Sequence, residues 1–323
     1  MFKVEPKLIV DRLVKEVREM GQGCRRAFVA GSGGVDSSVV TTLLCRAFGP
    51  ENTVVLFRDI RSDRKHYEDV LALQKVLGFK LIYIDANPLY DQLLEQCREQ
   101  FLAAGIEWHE ENSAEAEKLG WDNAYGSLKS RMTTPLAGFI AKAVDNGRGR
   151  IYGTGNAEED GLLRYFDKYG DGAVDNNIID GLTKLEVRQL ALYFSDEYEA
   201  PIFKRIAEKI PSADLLARGE GHNDEGELTA WARRMGFDID LSYGTCEQEG
   251  NIAWGLKEDL DRGVVTGRHA GLTLEELKKR FSYSEEQLQL IAFLRQMEKN
   301  TRHKVEPLPG LPRKQLREEG LVD

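Results

Sequence analysis

Gly-Ser-Gly-Gly-Val-Asp-Ser-Ser, at residues 31–38, brings together the groups that hold a polyphosphate. The glycines carry no Cβ, so backbone N–H groups can approach an anion closely, and the hydroxyls of Ser32, Ser37 and Ser38 add donors. A helical pattern starts within the run, so the positive end of a helix dipole points at the same place. Asp36 is the odd member. A carboxylate among phosphate donors is repulsive unless a cation lies between them, and Asp36 is therefore read as a Mg²⁺ ligand. No Lys-Ser/Thr pair follows the glycines, and the spacing also fails the dinucleotide fingerprint. A second small-residue run, Gly-Thr-Gly-Asn-Ala-Glu-Glu at 153–159, offers Thr154 as a donor and Glu159 as the second metal carboxylate. Glu158 and Asp160 compete for that role; spacing from Thr154 favours Glu159. Next comes Tyr165 to Asp175, dense in glycine and charge, where Lys168, Asp171 and Asp175 can hold a polar ligand.

These runs need a scaffold that brings them to one edge. Apolar segments at about 26–31, 54–57, 81–84 and 150–153 read as four buried strands. Helices are expected at 7–20, 36–48 and 63–78, the second stopped by Gly49-Pro50 and the third closed by Gly78. Residues 88–145 read as mainly helical with a polar interruption at 107–123. Thr183 with Glu186 three residues on is a capping box opening a helix over 183–193. Strands alternating with helices predict an α/β fold, a doubly wound parallel sheet whose ligands bind at the carboxyl ends of the strands, where both glycine runs would lie. Beyond about 270 helical pattern alternates with charge, and Pro307 to Pro312 is not helical in character.

Ser-Gly-Gly-Val-Asp-Ser at 32–37 resembles the pyrophosphate loop of the ATP pyrophosphatases, which cleave ATP between its α and β phosphates and adenylate a substrate oxygen. Further motifs narrow the resemblance. Gly153 to Asn156 with Glu159, Lys-Tyr-Gly-Asp-Gly at 168–172 with Asp175, Lys184 to Arg188, Pro-Ser-Ala-Asp-Leu at 211–215, Asp224-Glu225 and His303-Lys304 follow in an order similar to the ammonia-dependent NAD synthetase family. The resemblance implies that ATP phosphates lie on Gly31, Ser32, Gly33, Gly34, Val35, Asp36, Ser37 and Ser38. It puts further ATP contacts at Thr154, Lys184 and Ser212, and Mg²⁺ on Asp36 and Glu159. Deamido-NAD would be held by Lys168, Asp175, His303 and Lys304, with Asp36, Lys184 and Asp175 as the catalytic set. It also implies a homodimer. Lys129 stands where the family has an arginine on deamido-NAD, and lysine cannot reproduce that two-pronged contact.

The chemistry that follows is adenylation of a carboxylate, a poor electrophile, and displacement of AMP by ammonia, with Mg²⁺ and lysine absorbing the charge on pyrophosphate. About thirty residues precede the first loop, too few for a fused glutaminase, so free ammonia or a separate protein is the expected nitrogen source. One domain spanning 1–323 is expected, with a longer segment at about 229–275 than the family requires and an irregular tail at about 305–323. A formal net charge of −10 disfavours nucleic acid and anionic membranes as partners. Four scattered cysteines without a C-x-x-C pair fit reduced thiols, and no signal peptide or membrane span is visible, so the cytoplasm is the expected compartment. The rival readings are a ligase of the same chemistry acting on another carboxylate and, with less support, an RNA-modifying pyrophosphatase.

Overall fold

The computed structural model describes residues 2–210, 212, 223–243, 271–305 and 313–321. Five parallel strands, β1 (Ala27–Ala30), β2 (Thr53–Asp59), β3 (Lys80–Asp85), β4 (Arg150–Gly153) and β5 (Asn176–Asn177), lie in the order β3-β2-β1-β4-β5. The chain builds outward from β1 to β3, then crosses to the other side of β1. The crevice where the direction reverses therefore lies between the ends of β1 and β4, which are the two glycine runs. Four of these strands are where the apolar segments predict them. The two-residue β5 is too short to leave a period in the sequence.

Strand alternation assigns the two faces. Ala27, Val29, Val55 and Phe57 join one core with α1 (Pro6–Met20), α2 (Val35–Phe48), α3 (Arg64–Leu77), α7 (Lys184–Glu197) and α8 (Pro201–Ala207). Phe28, Val54 and Leu56 face the other way, against Ala137, Ile140 and Ala141 of α6 (Trp121–Val144). The capping box at Thr183 forms as expected, and Gly78 closes α3 in the left-handed conformation at φ +78°. The polar interruption is narrower than its sequence implies. After α4 (Asn87–Ala103), the Ser113 hydroxyl caps α5 (Ala114–Leu119), and Gly120 turns the chain into α6.

A second core is formed by α9 (Asp224–Arg234), residues 239–243, α10 (Leu274–Phe281) and α11 (Glu285–Asn300), packed on Leu162 and Leu163. The described part of the 229–275 segment is thus a packed layer, with Ala232 and Tyr243 fully buried. Residues 306–312 of the expected irregular tail lie outside the described residues. Arg313–Glu318 form a short helix, α13, so that part of the tail is regular.

Candidate active site

The Gly31–Ser38 run leaves β1 and enters α2 without a break. Gly33 sits at φ +76°, and a Cβ there would lie 2.5 Å from the His66 carbonyl oxygen, so only glycine lets α3 close onto the loop. The hydroxyls of Ser32 and Ser37 are 3.1 Å apart, and the Ser38 hydroxyl donates to the Gly34 carbonyl at 2.7 Å. Gly31, Ser32, Gly34, Val35, Asp36 and Ser37 line a cleft of about 570 Å³. Gly33 and Ser38 do not line it: the first shapes the turn, and the second is buried beneath it.

The run after β4 holds a geometry that was not legible as a loop. Residues Ala157–Leu163 form a wide π-helical turn, capped by the Asn156 side chain, which accepts from the N–H groups of Glu158 and Glu159. Wide turns of this kind shift the phase of successive side chains. Glu158 points inward and accepts the Lys184 backbone N–H at 2.6 Å, whereas Glu159 faces Asp36. Asp160 turns aside to accept from Asn177 at 2.9 Å. Of the three competing acids, Glu159 therefore lies beside Asp36, as its spacing from Thr154 predicts.

Between the two carboxylates stands the Lys184 ammonium, 2.6 Å from Asp36 Oδ2 and 2.6 Å from Glu159 Oε1. The Asn156 amide bridges the same pair, donating at 3.1 Å to Asp36 and 2.8 Å to Glu159. Lys184 is the first residue of α7, so the capping box at Thr183 fixes where its side chain starts. Burial works against the ammonium charge, but the attraction of Asp36 and Glu159 outweighs it and holds the Lys184 pKa well above its ordinary value. Burial pushes Glu159 up to about 8, with Lys184 pulling it down and Asp36 pushing it up. A further cation beside the pair would favour the ionised form of Glu159 against the burial that raises its pKa. Among the described residues no cluster of three His, Cys, Asp or Glu side chains is arranged around a metal site. Two oxygen-bearing acids suit Mg²⁺, which takes one or two carboxylates and completes its shell with substrate phosphates and water.

The opposite wall comes from α6, the turn at 165–171 and α12 (Arg302–Val305). Ser127, Ser130, Arg131 and Thr134 share one helical face. The Ser127 hydroxyl donates to Asp167, Ser130 to Asp171 at 2.7 Å, Arg131 Nε to Asp167 at 2.9 Å, and Thr134 to the Tyr169 carbonyl at 2.7 Å. Gly170 is packed so closely on this face that a Cβ would lie 2.0 Å from Ser130 Oγ. Lys168 donates to the His303 carbonyl at 2.6 Å, and Lys304 to the Arg164 carbonyl at 2.7 Å and to that of Phe166. Lys168, His303, Lys304, Thr154, Lys184 and Ser212 all line the cleft, as the sequence predicts.

Besides Gly33 and Ser38, two predicted site residues do not line it. Lys129 lies on the far side of α6, 1% exposed, paired with Glu111 at 3.3 Å and 5.8 Å from the centre of the Tyr90 ring. The rotation that turns 127, 130, 131 and 134 toward the cleft turns 129 into the core; the arginine on the cleft face is Arg131. Asp175 is exposed and serves the sheet edge, its carboxylate accepting the Ile151 N–H at 2.8 Å. Asn156, inside the 153–159 run without an assigned role, and Arg131, two residues beyond Lys129, carry contacts of the site that the sequence left unassigned. A polar stripe at i, i+3, i+4 and i+7 on α6 was the available signal for Arg131.

An NH3-dependent NAD+ synthetase from Alkaliphilus oremlandii is 32% identical over 222 residues, 68% of this chain and 79% of its own. One of the same name from Carboxydothermus hydrogenoformans is 28% identical over 304 residues, 94% of this chain and 96% of its own. An NMN synthetase structure from Francisella tularensis superimposes with a TM-score of 0.63 at 20% identity, covering 95% of this chain and 99% of that one, a likeness of fold. The NAD synthase family model matches residues 6–233, a span holding both sheet-edge runs, the Lys184 cluster and the α6 face; the chain belongs to the NAD synthase family.

Proposed function

We infer that the chain is an ATP-dependent carbon–nitrogen ligase that adenylates the carboxylate of deamido-NAD and amidates it with ammonia, giving NAD, AMP and pyrophosphate. The observation that carries this reading is the convergence of Asp36, Glu159 and Lys184 beside the phosphate loop, facing Lys168 and Lys304 across one cleft. A dinucleotide acid and a nucleotide triphosphate are both anionic, and the cleft offers cations on each wall.

The loop N–H groups and the hydroxyls of Ser32 and Ser37 bind and orient the phosphates, and the dipole of α2 favours their charge. Lys184 is held in place before substrate arrives, so its charge needs no reorganisation as negative charge develops at the α phosphorus. Asp36 and Glu159 would hold Mg²⁺, which when bound supplies Lewis-acid polarisation of phosphate oxygens. Arg131, Lys168 and Lys304 are placed to orient the acid substrate. Ammonia then attacks the acyl adenylate and AMP leaves.

The reading extends to a homodimer, supported by apolar side chains left on the surface of α4 and α6, Leu102 at 57% and Phe139 at 74% exposed. It also extends to a cytoplasmic setting, with which free thiols at Cys24, Cys45 and Cys97 are in keeping. Incubation with ATP, Mg²⁺, ammonium and deamido-NAD, followed by mass spectrometry and phosphorus NMR, tests the reaction. NAD, AMP and pyrophosphate in equal amounts are expected. Formation of ADP, or AMP release only with a different carboxylate, would overturn the assignment.

A further inference from the structure

One group of charges at the cleft belongs to none of the motifs assigned above. Asp69, on α3, is only 5% exposed and is shared by two cations, Lys209 at 2.7 Å and Arg205. Lys209 follows α8, and its Nζ also lies 3.2 Å from His66 Nδ1. Both Lys209 and His66 line the cleft, and the His66 carbonyl is the atom packed against Gly33 of the phosphate loop. The side chain of Lys209 is 29% exposed, so it is anchored at one side and open at the other.

The arrangement here differs from that around Lys184, where two acids flank one cation. Two cations share one carboxylate, and of the two it is Lys209 that lines the cleft beside the loop. An ammonium has three donors; Asp69 and His66 account for two of them. We propose that Lys209, positioned by Asp69, is a ligand of the ATP polyphosphate and holds the departing pyrophosphate. The proposal rests on the adenylation reading. In that step a bond forms between the substrate carboxylate oxygen and the α phosphorus, and the bond from the α phosphorus to the bridging oxygen breaks. Its electron pair leaves on pyrophosphate. The Lys209 side chain donates to the pyrophosphate oxygens on which the added charge appears; no proton or co-reactant is consumed.

Titration calorimetry of the full chain with pyrophosphate in magnesium buffer, and separately with AMP, tests this without requiring turnover. Lys209→Met is expected to weaken pyrophosphate binding tenfold or more, to leave AMP binding within twofold, and to lower kcat/KM for ATP without raising KM for the acid. Lys209→Gln keeps a hydrogen bond to Asp69 and is expected to show the same loss, so a folding defect in the first variant does not decide the question. Unchanged pyrophosphate affinity in a folded variant, equal weakening of AMP and pyrophosphate, or no pyrophosphate binding by the wild-type chain would each overturn the proposal. If pyrophosphate binds as expected but no NAD forms from deamido-NAD, the functional reading fails while this site stands.

Discussion

On the phosphate wall of the cleft, Gly31, Ser32, Gly34, Val35, Asp36 and Ser37 come from one uninterrupted stretch that leaves β1 and runs into the first turn of α2. The acid wall is assembled from α6, the turn at 165–171 and α12, near the other end of the chain. A wall made of one stretch carries its chemistry in its own order of residues, because a strand, a glycine turn and a helix start determine where each group lies. A wall made of three stretches does not: its side chains meet only through the rotation of α6 and the docking of the second core. The junction between the walls is the π-helical turn at 157–163, which holds Glu159 on Lys184 beside Asp36 and sends Leu162 and Leu163 into the second core.

The sharpest way to break this contrast is at the phosphate wall. Asp36→Asn and Glu159→Gln should each lower kcat by about 10³-fold with the fold retained, the scale of losing a preorganised charge in an active site. Steady-state rates with circular dichroism would check it, and near wild-type turnover at ordinary Mg²⁺ would refute the role. Glu158→Gln should behave differently, because Glu158 holds the backbone of Lys184: a stability loss of about 1–3 kcal/mol is expected, with activity kept in the folded protein.

The second core should matter to the acid wall and the junction through packing alone. Phe293 is fully buried in it, and Phe293→Ala should destabilise the protein by about 3–5 kcal/mol, read from urea unfolding. A change under about 1 kcal/mol would mean this layer is not packed as described.

Lys129 and Arg131 then separate the two faces of α6. Lys129→Met removes a buried partner of Glu111, which Arg61 still contacts, so a stability loss of about 3 kcal/mol is expected with KM for deamido-NAD unchanged. Arg131→Ala should instead raise that KM about tenfold at constant stability, the scale of one charged contact of about 1.4 kcal/mol. The reverse pattern would restore Lys129 as the substrate-facing residue.

The smallest effect expected is one of pH. Burial, then Asp171 and Asp36, push Asp160 from 3.8 up to about 7. In this window the folded state keeps a proton that the unfolded chain has released, so the stability contributed by Asp160 is present below about 4 and is lost as pH rises through about 7. Asp160→Asn should flatten that part of the stability profile. An unchanged slope in thermal unfolding across this range would show that Asp160 is already ionised when folded.

Four strands, the loop at 31–38 and the caps at Thr183 and Gly78 were determined by the sequence, whereas the π-helical turn at 157–163 decides which of Glu158, Glu159 and Asp160 faces Asp36. The strands, the loop and the caps each depend on groups a few residues apart: alternation with period two, glycines without a Cβ, a hydroxyl three residues before an N–H. Tertiary structure alone decided that Lys184 stands between Asp36 and Glu159, that Arg131 and not Lys129 faces the cleft, and that Asp175 serves the sheet edge. The rotation of α6 is settled by what it buries, Lys129 with Glu111 and Tyr90 on one side and the 167–171 turn on the other. Those partners lie tens of residues away, where spacing along the chain no longer specifies distance in space.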